Sequence, residues 1–172
     1  MLRIAVCGTI IAGCGYLGLL LADTFKKRVV QLEELQNVLL GLEFDIGFMN
    51  LPLGEALLRC GDRAKGGIRD VMMYVCDRLT EDRCHNMQGV WKRALDRFSQ
   101  ELYLTAEDKK ILIDFSKALG GGDIEREINN IKMTSARLAV AERDARELAK
   151  RNTKMYRGLG LLVGIFIVIV LI

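Results

Sequence analysis

Two long uncharged apolar segments, one at each end of the chain, constrain the fold most strongly. The C-terminal segment follows Arg157 and contains no charged, amide or hydroxyl group up to Ile172. An apolar stretch of this kind is stable in lipid but aggregates in water. Its ~15 residues would form roughly 22 Å of helix; with Met155, Tyr156 and local thinning of the bilayer, this suffices to cross the ~30 Å hydrocarbon core. We therefore predict a C-terminal transmembrane helix over residues 158–172.

The N-terminal apolar segment extends from Ile4 to Ala22 without a charge. Its length is close to the ~20 residues that a membrane-spanning helix requires. A cleaved signal peptide is the alternative interpretation, but the apolar stretch is long for that role. Cleavage after Ala22 would also place the bulky Leu20 where a small residue is expected. We therefore favour a retained transmembrane helix over residues 1–23.

Basic residues flank both apolar segments on the side that faces the middle of the chain. The flanking residues expected at the membrane surface, with an interfacial tyrosine among them, are Lys26, Lys27, Arg28, Lys154, Tyr156 and Arg157. Because positive charge is retained on the cytoplasmic side, the middle of the chain is predicted to be cytoplasmic and both termini external. The chain is thus expected to be a multi-pass membrane protein.

Small residues recur at helical spacing within both apolar segments. Those expected at helix–helix contacts are Gly13, Gly18, Gly160 and Gly164, the last two forming a GxxxG pair. This spacing allows helix backbones to approach closely, which predicts packing of the two spans against each other or against partner spans. The alternative is that glycine is simply common in membrane helices.

Composition limits the classes of protein to which the chain can belong. A net charge of +3 over 172 residues argues against a nucleic-acid-binding protein. The five cysteines include no CxxC pair, which argues against a disulfide framework and favours a reducing compartment. A single proline and many leucine, alanine, glutamate, lysine and arginine residues favour an all-α fold.

Hydrophobic periodicity predicts six helices in the middle of the chain. Their approximate ranges are 24–47, 53–60, 68–83, 87–101, 105–119 and 124 onwards, with a loop over Gly61–Gly67. The last helix has no proline or glycine before Gly158 and is predicted to continue into the second span as a rod of roughly 70 Å. We predict an antiparallel bundle of about six helices between two transmembrane helices, with the cytoplasmic domain at residues 24–157.

One seam of the last predicted helix carries the residues expected to face the bundle. They are Ile124, Ile128, Ile131, Ser135, Leu138, Glu142, Ala145, Ala149 and Asn152. Trp91, at helical spacing with other apolar residues, is interpreted as a core residue.

No pattern typical of catalysis is present. Cys60, Cys76, Cys84 and His85 lack the close pairs of a zinc site, so they are interpreted as ordinary thiols and a histidine on helices. Gly120-Gly121-Gly122 lacks the lysine and hydroxyl residue of a phosphate-binding loop. We therefore expect no enzymatic activity, no cofactor and no metal, and we nominate no catalytic residue.

Three stretches together resemble the stage III sporulation protein AB family over nearly the whole chain. The first runs from Leu51 to Leu57 around Pro52 (LPLGEAL), and the second is Phe115–Gly120 followed by Asp123. The third is the tail from Asn152 through KMYRGLG into the apolar end. Ser116 departs from the family pattern, in which a glycine is expected before the lysine.

The resemblance implies a function. The family's cytoplasmic part is similar to the six-helix domains of GspF, the platform protein of type II secretion and type IV pili. The resemblance implies that the chain is a component of the SpoIIIA–SpoIIQ channel complex. It also implies that the chain lies in the outer forespore membrane, with its domain in the mother-cell cytoplasm. Its implied partners are other SpoIIIA-type membrane proteins and the cytoplasmic ATPase SpoIIIAA, with self-association left open. Carried over from the family motifs, the interface candidates are Pro52, Leu53, Glu55, Ala56, Leu57, Lys117, Leu119, Gly120 and Asp123.

Two alternatives remain open. The chain could be a two-span regulatory or signalling protein that senses through its long helix. It could also be an external helical domain anchored only at its C-terminus after signal cleavage.

Overall fold

All regular secondary structure in the described backbone is helical. A computed structural model describes the backbone of residues 2–81, 86–121 and 123–171, and the side chains of residues 23–79, 86–121, 123–153 and 155. Within these ranges there is no strand, and the helices are α1 (Leu2–Gly47), α2 (Leu53–Arg63), α3 (Gly66–Glu81), α4 (Met87–Arg97), α5 (Ala106–Lys117) and α6 (Ile124–Leu171). The all-α prediction is confirmed, and each helix predicted between residues 24 and 157 has a counterpart.

The predicted transmembrane helices fall on the parts of α1 and α6 whose side chains are not described. The predicted spans over residues 1–23 and 158–172 lie outside the described side chains, apart from Asp23. Among the residues whose side chains are described, no helix contains a stretch long and apolar enough to cross a membrane.

The chain divides into two compact units. A central unit comprises residues 30–143, and a terminal unit comprises residues 1–29 and 144–172. Each of the two longest helices, α1 and α6, contributes to both units.

The core of the central unit is built from the apolar faces of its helices. On α1 the buried side chains are those of Leu32, Leu35, Val38, Leu39, Leu42 and Ile46. Trp91 of α4 is buried and meets Phe115 of α5 edge to face, with ring centroids 5.8 Å apart. Its interpretation as a core residue is confirmed. Burial of these large side chains supplies the main stabilisation of the unit.

Helix starts follow the capping signals in the sequence. The Thr105 hydroxyl accepts a hydrogen bond from the backbone N–H of Asp108, and the Asp108 carboxylate accepts one from the N–H of Thr105. This capping box begins α5 where it was predicted. Asp123 likewise accepts hydrogen bonds from the backbone N–H groups of Glu125 and Arg126 at the start of α6.

The predicted loop over Gly61–Gly67 is wrong. Helix α2 continues to Arg63 and α3 begins at Gly66, so only Ala64 and Lys65 connect them. Gly61 is buried inside α2, where an added Cβ would lie 3.2–3.3 Å from side-chain atoms of Met73 and Met72. The glycine therefore permits close packing of α2 on α3 instead of ending the helix.

Helix α4 also ends earlier than predicted, at Arg97. The Gln31 side chain of α1 donates to the carbonyl of Glu101 and accepts from the backbone N–H of Tyr103, each over 2.7 Å. Both hydrogen bonds hold the segment after α4 against α1. Gln31 and Glu101 are 70 residues apart in the chain, so local sequence could not predict the end of α4.

The predicted seam of α6 is largely confirmed. Ile131, Leu138, Ala145 and Ala149 are buried, whereas Ile124 is exposed and does not belong to the core. Ile124 lies in the first turn, just after the exposed Asp123.

Candidate partner interface

The first family-like stretch, Leu51–Leu57, forms a sharp turn between α1 and α2. Asn50 adopts a left-handed backbone conformation with φ of 52°. The backbone N–H of Leu51 then donates to the carbonyl of Asp45 over 3.0 Å. Pro52 precedes α2 with φ of −58°, and its carbonyl accepts the first hydrogen bond of the helix, from Ala56. The proline thus fixes the direction in which α2 leaves the turn.

The residues of this stretch divide between core and surface. Ala56 and Leu57 are fully buried and Leu53 is partly buried, so these side chains support the fold. Pro52 and Glu55 are exposed. The exposed side chains at helical spacing, which we name the α2 outer face, are Glu55, Leu58, Arg59 and Asp62.

A buried carboxylate attaches α2 to the end of α1. Asp45 is 1% exposed, and its Oδ2 accepts a hydrogen bond from Nη2 of Arg63 over 2.9 Å. Nη1 of Arg59 lies 3.9 Å from Oδ1 of the same carboxylate. Both arginines keep about half of their side chains in solvent, because only the charged end of each reaches the carboxylate. The cluster holds α2 in place while presenting positive charge on its surface.

The two described thiols are buried and protonated. The pKa of Cys60 is raised to about 11; burial is the larger cause and the nearby Asp45 carboxylate is the second. Burial, followed by Asp77, raises the pKa of Cys76 to about 11. Protonated thiols are poor nucleophiles and poor metal ligands. Among the described side chains, no group of three or more His, Cys, Asp or Glu residues could hold a metal ion, and Cys84 and His85 lie outside them.

The second family-like stretch, Phe115–Gly120, is the end of α5 and the turn into α6. Leu119 is buried, and Gly120 has φ of +83°, a conformation that favours glycine. The Gly120 N–H donates to Oε1 of the buried Glu127 over 3.0 Å, and Nδ2 of Asn130 donates to the Phe115 carbonyl over 2.9 Å. Two side chains of α6 therefore hydrogen-bond backbone groups of the end of α5 and of the turn that follows it.

The lysine of this stretch is at the surface. Nζ of Lys117 donates to Oδ1 of Asp114 over 2.7 Å, one turn earlier on α5. This hydrogen bond lowers the pKa of Asp114. Both side chains are solvent-accessible, so the pair contributes little to stability and leaves Lys117 available to a partner.

The start of α6 contacts the ends of both α1 and α5. Glu127 and Asn130 bind the end of α5, as described above. On the α1 side, a Cβ added to Gly47 would lie 3.0 Å from Cδ1 of Ile128. Helix α6 therefore contacts the end of α1 and the second family-like stretch within the central unit.

Few of the predicted membrane-flanking residues can be located in detail. Lys26 and Lys27 are exposed, and Nζ of Lys27 lies 3.5 Å from Oδ2 of Asp23, while Arg28 is partly buried. The remaining predicted flanking and span-packing residues have no described side chains: Gly13, Gly18, Lys154, Tyr156, Arg157, Gly160 and Gly164.

Sequence reasoning missed Asp45, Arg63 and Glu127. A signal existed for Asp45, because it lies between Leu42 and Ile46 on the buried face of α1, where a charge requires a partner. Its partner Arg63 is 18 residues away, and nothing in the local pattern identifies it. Glu127 occupies the first turn of α6, where an acidic residue is ordinary, so its buried role gave no signal.

Comparisons with known proteins agree with this fold. The family model described as stage III sporulation protein AB matches residues 3–172. Stage III sporulation protein AB of Bacillus subtilis (strain 168) is 23% identical over 171 residues, which cover 99% of each chain. A solved structure of stage III sporulation protein AB (SpoIIIAB) matches with a TM-score of 0.64 and 22% identity, covering 72% of this chain and 96% of that one, and it shares the fold. The chain therefore belongs to the stage III sporulation protein AB family.

Proposed function

We propose that the chain is a non-enzymatic membrane platform of the SpoIIIA–SpoIIQ channel complex, with the α2 outer face docking the cytoplasmic ATPase SpoIIIAA. Family membership supports a role in endospore formation. The observation that supports ATPase docking at α2 is that this helix has two distinct faces. Its inner face is fixed by buried apolar residues and by the Asp45–Arg63 pair, whereas its outer face stays in solvent. A partner can therefore bind a rigid surface at low entropic cost.

The α2 outer face has the mixture of groups found in protein interfaces. Leu58 is an exposed apolar residue, and charged residues of both signs, Glu55, Arg59 and Asp62, share the face with it. An apolar centre with a polar rim is the usual arrangement of a specific contact. Lys117, on the separate α5–α6 turn, is the second exposed candidate from the family motifs.

The proposed membrane location rests on the apolar segments 4–22 and 158–172. Under it, the chain spans the outer forespore membrane twice and its central unit lies in the mother-cell cytoplasm. Flotation of the full-length protein with vesicles after a high-salt wash tests the attachment. A cysteine replacing the exposed Ser99, in a chain whose own cysteines are replaced, tests the side. Labelling of this reporter by an impermeant thiol reagent in intact cells would contradict the cytoplasmic placement.

Docking is tested with the full-length protein in detergent and the purified ATPase. We expect the wild type to retain the ATPase in a pull-down, and Glu55→Lys combined with Leu58→Asp to weaken binding by about tenfold or more. Lys92→Glu, on the exposed face of α4, is the matched control and should bind like the wild type. Failure of the wild type to bind, or equal binding by all three proteins, would count against docking at α2.

A further inference from the structure

An apolar groove lies between the end of α1 and the start of α6, and none of the residues assigned to docking lines it. It has a volume of about 350 Å³ and is lined by Leu40, Glu43, Phe44, Gly47, Phe48, Ile128 and Lys132. All of these residues belong to the central unit. We name this feature the α1–α6 groove.

A row of exposed apolar side chains forms one wall of the groove. Leu40, Phe44 and Phe48 are spaced four residues apart, and each is more than half exposed, Phe48 by 78%. The Phe44 and Phe48 rings stack with centroids 5.5 Å apart and planes 9° apart. Leu40 and Phe44 belong to α1 and Phe48 directly follows its last residue, Gly47; we name these three residues the α1 ridge. Monomeric proteins seldom expose a continuous apolar patch of this kind unless it binds something.

The ridge is one wall of the groove, so that two copies of this surface can interdigitate. Rows of residues four apart are the ridges that interdigitate in the commonest class of helix packing. In a twofold contact, a residue pair forms twice: if residue i of the first copy contacts residue j of the second, then residue j of the first also contacts residue i of the second. The ridge of one copy can therefore enter the groove of a second copy at both halves of the contact.

The charges at the groove fit a second copy of the chain. Nζ of Lys132 lies 3.6 Å from Oε1 of Glu43, so the rim carries one charge of each sign. A rim of zero net charge favours neither an acidic nor a basic partner. A second copy instead brings the matching pair, so that Glu43 of each copy can bind Lys132 of the other. We propose that this chain pairs with a second copy of itself through the α1 ridge and the α1–α6 groove.

The first test measures self-association of the purified full-length protein in detergent by light scattering. We expect a dimer for the wild type, and weakening of the dimer by about tenfold or more for Phe48→Asp. Val140→Asp is the matched control, because Val140 is 62% exposed on α6 outside the groove, and it should remain dimeric. A wild type that is monomeric over the accessible concentration range overturns the proposal. So does a dimer that Phe48→Asp and Val140→Asp affect equally.

A charge exchange identifies the second copy as the occupant. Glu43→Lys and Lys132→Glu should each reduce self-association, since each places like charges across the twofold contact. When the two variants carry different tags and are co-expressed, Lys at position 43 in one copy meets Glu at position 132 in the other, and co-purification should recover to the wild-type level. Absence of recovery overturns the proposal, as does cross-linking of the groove to a different protein in place of a second copy. Trp91 fluorescence verifies that every variant is folded, because Trp91 is the single tryptophan and is buried in the core.

Discussion

Asp45 and Arg63 form the ion pair that joins α1 to α2: a carboxylate that is 1% exposed meets a half-exposed guanidinium over 2.9 Å. The arrangement is asymmetric, since solvent still reaches the arginine but not the aspartate. Loss of Arg63 would leave a buried carboxylate with Arg59 as its nearest described cation, 3.9 Å away. The pair therefore matters more for the position of α2 than an ordinary surface ion pair would.

We predict that Arg63→Ala lowers the free energy of unfolding by about 2 kcal/mol, because a buried carboxylate loses its close partner. This loss of stability is smaller than the loss expected for a fully buried ion pair, because Arg63 is partly hydrated and Arg59 remains near the carboxylate. Arg69→Ala, at an exposed position on α3, is the control and should change stability by less than about 0.5 kcal/mol. Urea unfolding of the full-length protein, followed by Trp91 fluorescence, measures both. Equal effects of the two substitutions would contradict the assigned role of Arg63.

Gly120 and Gly121 offer a matched pair at the α5–α6 turn. Gly120→Ala should cost about 1 kcal/mol of stability, because φ of +83° is unfavourable for a residue with a Cβ. Neither glycine has a heavy atom within 4 Å of an added Cβ, and only Gly120 has a positive φ. Gly121→Ala should therefore be neutral or slightly stabilising. The same unfolding measurement compares them, and a destabilising Gly121→Ala would show that backbone conformation is not the cause.

Leu57 and Leu58 are neighbours on α2 that should behave oppositely. Leu57→Ala should destabilise the protein by about 2–5 kcal/mol, because Leu57 is fully buried and its truncation leaves a cavity. Leu58 is 43% exposed, so Leu58→Ala should cost less than about 1 kcal/mol while weakening retention of the ATPase. Unfolding and pull-down of the same proteins separate the two roles. Normal ATPase retention by a stable Leu58→Ala variant would argue against the proposed docking face.

Cys60 and Cys76 should react slowly in the folded protein. In a variant whose Cys7, Cys14 and Cys84 are replaced by serine, iodoacetamide near neutral pH should label both thiols only as urea unfolds the chain, since burial keeps them protonated. Mass spectrometry of labelled peptides measures this, with the exposed reporter Ser99→Cys as the positive control. Labelling of Cys60 at the rate of the reporter would contradict its burial.

The same thiols predict a loss of stability at high pH. Their pKa values are raised from 9.0 to about 11 on folding, so the stability they contribute is complete below pH 9 and is lost as the pH rises towards 11. The unfolded thiols ionise in this range while the folded ones remain protonated. Urea unfolding at successive pH values should therefore show a smaller decline for Cys60→Ala combined with Cys76→Ala. An identical decline in this variant and the wild type would contradict the cause assigned here.

Local chemistry of the chain determined most of the helical framework. Leu32, Leu35 and Leu42 have the spacing of one buried helix face, and Thr105 and Asp123 are residue types that cap helix starts. The predicted helix ranges follow from such signals, because periodicity and capping depend on residues a few positions apart. The motif around Pro52 was identified instead by its resemblance to the family, although a proline also fixes the local backbone by its own ring.

The tertiary structure alone decided which residues of those motifs are surface and which are support. It buried Leu57 and Leu119, left Glu55 and Lys117 in solvent, and paired Asp45 with Arg63. Gly61 predicts a helix break from local sequence, but in the structure α2 continues through it. The absent Cβ at Gly61 allows α3 to approach. Such outcomes depend on groups that are distant in the chain and adjacent in space, and a local pattern contains no information about that adjacency.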